Sequence, residues 1–347
     1  MTIYIIDIEA VDTRYTKQWK EFVPLQLKQE FPDVDVVTIS GGEIPQETTK
    51  GAFLNFSGTN IYKSNQLSQL AQLFNKGLIK DSDYFLYTDA WNPTVIQLRY
   101  MASLLNININ IGGMWHAGSY DPADFLGRLI GDQPWVRNAE QAMFDTYDQN
   151  FFATQFHIDL FRAAFPNAIH SGKMLRVGWP MEYMPGLLEP WQGMDKENII
   201  LFPHRIAPEK CPDIFNELAK ALPQYEFIIC QDRKLTKDEY HTLLGKAKIV
   251  FSANLQETLG ISAYEGALVG ALPIVPERLS YIEMYIDPFK YPSVWANEAG
   301  LASNLVDHVR HIMDNYSDFS NNLPDLLERL GMFFNGAALY KEISKKL

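Results

Sequence analysis

The sequence has little cysteine, no long apolar run and no excess of positive charge. Its 347 residues include only 2 cysteines, Cys211 and Cys230, which is too few for a disulfide scaffold. No window reaches the roughly 18–20 consecutive apolar residues that a membrane-spanning helix needs. The opening stretch also lacks the basic start and cleavage site of a secretion signal. We therefore expect a cytoplasmic protein.

The charge balance limits the choice of partners. The chain carries 42 acidic and 30 basic residues, a net charge of −12. A nucleic acid would have to bind through a local basic groove, because the overall field repels it. The length exceeds that of an ordinary single α/β core, and 47% hydrophobic residues supply enough apolar side chains for two cores. Two globular domains are therefore expected.

Short apolar runs alternate with helical patterns along both halves of the chain. Ile3–Ile8 is followed by a helical pattern over Lys17–Phe31, and the second half repeats this scheme from NIILFPHR onward. Such alternation is typical of parallel βαβ units with a ligand crevice at the carboxyl ends of the strands. We predict an α/β protein with two Rossmann-like domains, whose parallel sheets face across a cleft.

Residues 178–193 are rich in proline and glycine and predict the linker between the domains. The predicted domains are residues 1–180 and 181–347, with the last helix as a candidate to cross back to the first domain. Two further N-terminal segments, Asn55–Lys63 and Thr88–Asn92, are predicted to be loops that face the crevice.

Two polar segments in the second half contain the main candidate binding residues. In ETLGISAYEGA, Glu257 follows a strand, Gly260 permits close approach of a ligand to the backbone, and Glu265 lies on the next helix. The N-terminus of that helix offers N–H groups that suit a diphosphate. In HRIAPEK, Arg205 and Lys210 can neutralise phosphate oxygens. The alternative is that these are ordinary solvated charges.

The order of HRIAPEK, ETLGISAYE and VGALPIVPERLSYIEMY resembles the donor-binding domain of retaining GT-B glycosyltransferases. The closing LSYIEMY is similar to tRNA-queuosine mannosyltransferase-like proteins and to phage enzymes that glycosylate DNA bases. The resemblance implies a GT-B fold, a nucleoside-diphosphate sugar as co-substrate and front-face transfer without a protein nucleophile. If the chain is phage-encoded, the host cytoplasm is its expected location.

The resemblance also implies roles for individual residues. Arg205 and Lys210 would bind the donor phosphates, Glu265 the ribose and Glu257 the transferred sugar. The phosphate cradle would be completed by the backbone of Thr258, Leu259 and Gly260, and His116 in GGMWHAG would reach the donor sugar.

The sequence gives weaker indications of function for other N-terminal residues. Asp89 and Trp91, with Asn92, are candidate acceptor-binding residues, because a carboxylate can accept a hydroxyl proton and an indole can stack on a flat acceptor. Alternatively, Asp89 caps the next helix and Trp91 packs in the core. We predict that Gly112 and Gly113 form a loop, and that Glu140 and Asp148 are structural.

No Asp-x-Asp element ends a strand, so we expect no metal and no cofactor besides the sugar nucleotide. The preferred acceptor is a hydroxylated or hydroxymethylated base in phage-type DNA, held with the help of Lys63, Arg99 and Arg128. A tRNA base, a small molecule, a glycan and a lipid remain alternative acceptors. A phosphorylase or epimerase, and a module that only binds nucleotide sugars, are alternative functions.

Overall fold

Strands and helices alternate along the chain and assemble two parallel sheets. The computed structural model describes residues 1–12, 14–43, 45, 47–49, 54–166, 172–297 and 300–347. Residue contacts divide it into unit 1, which comprises Met1–Met181 and Asn335–Leu347, and unit 2, which comprises Glu182–Phe334. Among the described residues, no helix is both long and apolar enough to cross a membrane.

Unit 1 contains a sheet of 6 strands in the order β2-β1-β3-β4-β5-β6. All of its strand pairs are parallel. The strands are β1 (Thr2–Ile6), β2 (Asp35–Ile39), β3 (Tyr84–Tyr87), β4 (Asn110–Trp115), β5 (Gln149–Phe152) and β6 (Met174–Arg176). The helices are α1 (Tyr15–Glu30), α2 (Phe56–Asn75), α3 (Thr94–Leu104), α4 (Phe125–Ile130), α5 (Pro134–Thr146), α6 (Gln155–Ala164) and α15 (Ala337–Ser344).

Unit 2 contains a sheet of 5 strands in the order β11-β10-β9-β7-β8, again with parallel pairs. The strands are β7 (Glu197–Phe202), β8 (Glu226–Ile229), β9 (Ala247–Phe251), β10 (Leu272–Pro276) and β11 (Lys290–Tyr291), and a separate hairpin pairs β12 (Ala296–Asn297) with β13 (Gly300–Leu301). The helices are α7 (Met184–Leu188), α8 (Pro212–Ala221), α9 (Lys237–Lys246), α10 (Ile261–Leu268), α11 (Tyr281–Met284), α12 (Ser303–Asp314), α13 (Tyr316–Ser320) and α14 (Leu323–Gly331).

The two sheets share one topology, and this confirms the predicted pair of Rossmann-like domains. In each unit the second strand lies outside the first, and the third lies on the first strand's other side. The connections therefore diverge between β1 and β3 in unit 1 and between β7 and β9 in unit 2. Open α/β sheets bind ligands beside the carboxyl ends of the strands at such a switch point.

Two local predictions are wrong. The described part of Asn55–Lys63 is not a loop, because α2 begins at Phe56 and the Asn55 side chain caps it by accepting a hydrogen bond from the Gly58 amide. Gly112 and Gly113 do not form a loop either, because both lie within β4. A side chain at Gly112 would overlap the Tyr84 hydroxyl, and one at Gly113 would overlap the Tyr147 ring.

Helix α10 packs closely on the sheet of unit 2 at Gly266. A β-carbon added at Gly266 would lie 2.6 Å from Cγ2 of Val250 in β9. The absence of a side chain therefore lets α10 approach the strand, and this approach positions the N-terminus of the helix beside the loop that follows β9.

We expect Gly266→Ala to lower the free energy of unfolding by about 1–2 kcal/mol, since overpacking outweighs the gain in helix propensity. Gly331→Ala is the matched control, because a β-carbon at this helical glycine meets nothing within 4 Å. Urea unfolding of the full chain measures both. Equal effects of the two substitutions would contradict the close packing of α10.

Candidate functional site

The segment after β7 supplies two cations at the switch point of unit 2. A short 3-10 helix, Pro208–Lys210, follows the strand. Arg205 donates from Nε to Oε1 of the buried Glu209 at 2.9 Å, and its Nη2 contacts the same oxygen. Lys210 is only 6% exposed, and its Nζ donates to the Gln256 carbonyl at 2.6 Å. Both cations are therefore held in place by internal acceptors.

The loop after β9 carries Glu257 against the N-terminus of α10. One carboxylate oxygen, Oε1, accepts from the amides of Thr258 at 3.2 Å and Leu259 at 3.4 Å. The other oxygen, Oε2, lies 3.4 Å from Lys210 Nζ and accepts from Asn254 Nδ2 at 3.2 Å. The backbone amides predicted to cradle a phosphate thus bind the carboxylate of this chain.

The surroundings keep the Glu257 carboxyl ionised. Burial raises its pKa, but the Lys210 ammonium and the backbone amides of Leu259 and Gly260 outweigh burial, and the pKa lies below its ordinary value. Gly260 precedes α10 with a φ of 78°, a left-handed conformation that glycine adopts without strain. This turn directs the amides before the helix at the carboxylate.

His204 is a polar residue of this site that the sequence analysis missed. It is 7% exposed, and its Nε2 has no hydrogen-bond partner among the described residues. Burial, together with the nearby Lys210, lowers the pKa of His204 to about 3, so the ring is neutral at pH 7. The available signal was a histidine two residues after a buried strand, similar to the position of His116 directly after β4.

Glu265 lies on the buried side of α10, with both carboxylate oxygens engaged. Lys237 Nζ donates to Oε1 at 3.2 Å, and the Tyr240 hydroxyl donates to Oε2 at 2.9 Å. Both partners belong to α9. Burial raises the pKa of Glu265, but Lys237, His241 and Tyr240 outweigh burial and lower the pKa to about 2. The sequence did not indicate these partners.

A cavity of about 470 Å³ lies at the switch point of unit 1. Its lining includes His116, Asp89 and Trp91, together with Thr59 and Lys63 from α2. Residues from the segments after β1, β3 and β4 thus meet at one place, as parallel strands require. Three of the residues singled out in the N-terminal half are therefore brought together.

Hydrogen bonds fix the orientation of His116. Its Nε2 lies 2.6 Å from the Thr88 carbonyl oxygen, and its Nδ1 lies 2.8 Å from the Tyr15 hydroxyl. Since a carbonyl only accepts, Nε2 carries the proton and Nδ1 accepts from Tyr15. Burial lowers the pKa of His116, so the imidazole is neutral at pH 7.

Asp89 and Trp91 are also anchored. Asp89 accepts from the Trp91 amide at 3.1 Å and lies 3.4 Å from Lys63 Nζ. The Trp91 indole donates to Glu140 at 2.9 Å, which gives the buried Glu140 the structural role predicted for it. Both anchored residues still contribute to the cavity lining.

Other predicted residues lie elsewhere. Asn92 is buried outside the cavity lining and accepts from the amide and hydroxyl of Thr94, at the start of α3. Arg99 bonds to Asp148, which precedes β5. Because β5 is parallel to the other strands, Arg99 lies at the amino edge of the sheet, opposite the cavity. Lys63, Arg99 and Arg128 therefore do not share a groove.

Within the described ranges, no group of three or more His, Cys, Asp or Glu side chains has the arrangement of a metal site. The described acidic residues of the unit 2 site instead face protein cations or backbone amides. Metal independence stays a prediction.

No protein-family model matches the sequence, and no curated protein matches it. Among solved structures, sucrose-phosphate synthase from Thermosynechococcus elongatus is similar, with a TM-score of 0.62 at 12% identity over 99% of this chain and 98% of that one. A glycosyltransferase from Rickettsia africae gives a TM-score of 0.63 at 14% identity, over 99% of each chain. HepE from Anabaena gives 0.58 at 10% identity, over 99% and 98%. At these identities the similarity shows the fold: the chain has the GT-B architecture of two Rossmann-like domains.

The depressed pKa of Glu265 predicts an acid-sensitive contribution to stability. Its folded value of about 2 lies below the ordinary 4.5, so the unfolded chain binds this proton more readily. The contribution is complete above pH 4.5 and is lost as the pH falls toward 2. We expect Glu265→Gln to flatten the fall in unfolding free energy between about pH 5 and pH 3.

Urea unfolding at several pH values measures this slope. The slopes of the unfolding free energy against pH are compared, rather than the free energies themselves, because a glutamine at position 265 also loses the ion pair with Lys237. A variant whose unfolding free energy falls as steeply as that of the wild type would contradict the assignment.

Proposed function

We propose that this chain is a retaining glycosyltransferase that transfers a sugar from a nucleoside diphosphate to an acceptor hydroxyl. The observation that carries the proposal is the anion site of unit 2. Lys210 and the amides before α10 converge there on the Glu257 carboxylate, an internal anion that already occupies the site, and Arg205 lies on the same segment after β7. A diphosphate has the charge and the acceptor oxygens to take its place.

The structural neighbours support a nucleotide-sugar donor. HepE from Anabaena has been solved with UDP-glucose and with UDP, and the pneumococcal O-GlcNAc transferase GtfA with UDP and GlcNAc. In the proposed reaction the acceptor oxygen bonds to the anomeric carbon, and the bond between that carbon and the phosphate oxygen breaks. The acceptor proton passes to the leaving diphosphate on the same face, so the anomeric configuration is retained.

The proposed roles are those that the family resemblance implies. Arg205 and Lys210 neutralise the leaving diphosphate, and the amides of Thr258, Leu259 and Gly260 bind its oxygens. Glu257, displaced from those amides, contacts the transferred sugar.

Glu265 would bind the ribose through an oxygen that Lys237 or Tyr240 releases. His116 would reach the donor sugar as a neutral ring. We propose that the protein cations replace a metal ion in this reaction.

The acceptor belongs, in this proposal, to unit 1 and its cavity. The modified DNA base predicted from the sequence remains the preferred acceptor, and Trp91 on the cavity lining supports a flat group. The separation of Lys63 from Arg99 removes the basic groove that was expected to hold the nucleic-acid backbone. Phosphates would therefore need other contacts.

We expect Arg205→Ala to lower the turnover number by roughly 100- to 1000-fold, because it removes charge-assisted contacts to the leaving group. The assay follows nucleoside diphosphate release from a panel of UDP- and GDP-sugars in EDTA, with the product anomer read by NMR. Binding of a sugar nucleotide with neither transfer nor diphosphate release would favour the alternative of a module that only binds nucleotide sugars.

The control for this substitution is Arg310→Ala, because Arg310 is a partly exposed arginine that pairs with Asp307 on α12. Because Arg205→Ala leaves the buried Glu209 without its cation, Arg205→Lys is included to keep the charge and lose the planar fork. Near-wild-type turnover of folded Arg205→Ala protein would refute the role of Arg205.

We expect Glu257→Ala to affect diphosphate binding and sugar transfer in opposite directions. Removing the carboxylate frees the amides and Lys210, so we expect UDP or GDP to bind roughly tenfold more tightly, an effect of about one hydrogen bond to a charged group. Sugar transfer should fall in the same variant, because the contact to the sugar is lost.

Calorimetric titration and the transfer assay measure the two effects separately. Glu217→Ala, at an exposed glutamate of α8, is the control. Tenfold weaker diphosphate binding by Glu257→Ala would show that the carboxylate supports the nucleotide instead of competing with it.

A further inference from the structure

Apolar side chains form much of the wall of the unit 1 cavity. They come from the segment after β1, from the start of α2 and from α4, and include Ile8, Val11, Phe56, Phe125, Leu126 and Ile130. The rings of Phe56 and Phe125 stack with centroids 5.3 Å apart and an interplanar angle of 18°. A volume of about 470 Å³ is in the range of small-molecule sites. This apolar part of the wall offers few partners for the many hydroxyls of a sugar.

The charges on the cavity lining balance. Among the described lining residues, Arg14 and Lys63 are cations and Asp89 and Asp124 are carboxylates. Lys63 pairs with Asp89, and Asp124 caps α4 by accepting from the Leu126 amide at 2.9 Å. An uncharged occupant therefore fits better than a phosphate or a carboxylate, because burying an unpaired charge in such walls is costly.

One part of the cavity presents oxygens that accept hydrogen bonds. The Thr59 hydroxyl donates its proton to the buried Glu9, and the Tyr15 hydroxyl donates its proton to His116. The lone pairs of the Thr59 hydroxyl oxygen can accept a hydrogen bond. Asp89, which also lines the cavity, is a further acceptor. This arrangement suits an occupant that donates from a hydroxyl.

We propose that the cavity binds an uncharged planar aromatic ring that bears a hydroxyl or hydroxymethyl group, and that this hydroxyl is the acceptor. The ring lies against the Phe56 and Phe125 side chains, and the hydroxyl donates to the oxygen of Thr59 or Asp89. The assignment of the hydroxyl as acceptor rests on the proposed function, whereas binding of the ring does not. The ring can belong to a free aromatic alcohol or to a base extruded from a nucleic acid.

The test measures binding without any sugar nucleotide. Saturation-transfer NMR and calorimetry compare 2-naphthalenemethanol with methyl glucoside and 1-decanol. The variant is Leu129→Asp. Because Leu129 lines the cavity and is 62% exposed, this substitution places a carboxylate at the mouth of the cavity without disturbing the core. The matched control is Leu104→Asp, at a leucine that is 66% exposed at the end of α3 and outside the lining.

We expect the aromatic alcohol to bind more tightly than the other two compounds. We also expect Leu129→Asp to weaken it at least tenfold and Leu104→Asp to leave it unchanged. Tighter binding of methyl glucoside or 1-decanol, or equal weakening by both variants, would overturn the proposal.

Competition identifies the source of the ring. The competitors are duplex DNA with hydroxymethylated pyrimidines and the free nucleoside. If the DNA displaces the probe at a lower concentration than the nucleoside does, the result supports an extruded base. If the nucleoside displaces the probe at the lower concentration, the result supports a free alcohol.

Diphosphate binding at unit 2 is measured in parallel. Loss of aromatic binding with intact diphosphate binding overturns this inference alone, and the opposite result overturns the donor assignment alone.

Discussion

Parallel pairing of the strands is the constraint on which the rest of the structure depends. A parallel pair needs a crossover connection, so every strand ends at the same edge of its sheet and every returning helix begins there. Both units repeat one strand order and therefore one switch point. Arg205 and Glu257 are 52 residues apart, yet both follow strands that pair with each other. His116 and Asp89 are related in the same way through β3 and β4.

Charge neutrality is the second common feature of the two sites. In unit 2, Arg205 pairs with Glu209 and Lys210 lies beside Glu257. In unit 1, Lys63 pairs with Asp89. A buried cation needs such a partner, because an unpaired charge in a protein interior is strongly destabilising. The difference between the sites lies in their surroundings: backbone amides and a second cation border the unit 2 site, whereas aromatic and aliphatic walls border the unit 1 cavity.

Much of the fold was predictable from the sequence because apolar periodicity is local. The strand from Glu197, the helix from Pro212 and the helix from Thr94 all begin close to their predicted positions. The start of α2 was missed because its first turns are polar and its N-terminal cap is a single asparagine. The glycines of β4 were misread because the rings that cover them come from Tyr84 and Tyr147, which are distant in sequence.

The residues of the candidate sites were predictable only where a local sequence pattern marks them. Residue types and strand ends indicated Arg205, Lys210, Glu257 and His116, since these depend on local pattern. The engagement of Glu265 by Lys237 and Tyr240 depends on how α9 and α10 pack. The position of Arg99 at the far edge depends on the direction of β5, and no pattern within the helix that carries Arg99 encodes that direction.

The carboxylate of Glu257 on the amides before α10 has a consequence for selectivity. An incoming anion must replace contacts that the protein already makes with itself, so a small anion that offers no more than a carboxylate gains little by entering. Orthophosphate and acetate are of this kind. The proposed sugar nucleotide would bring a second phosphate, a ribose and a hexose or pentose, whose additional contacts would offset the displacement. In the proposed function, the Glu257 carboxylate would thus select ligands by the number of groups that bind together.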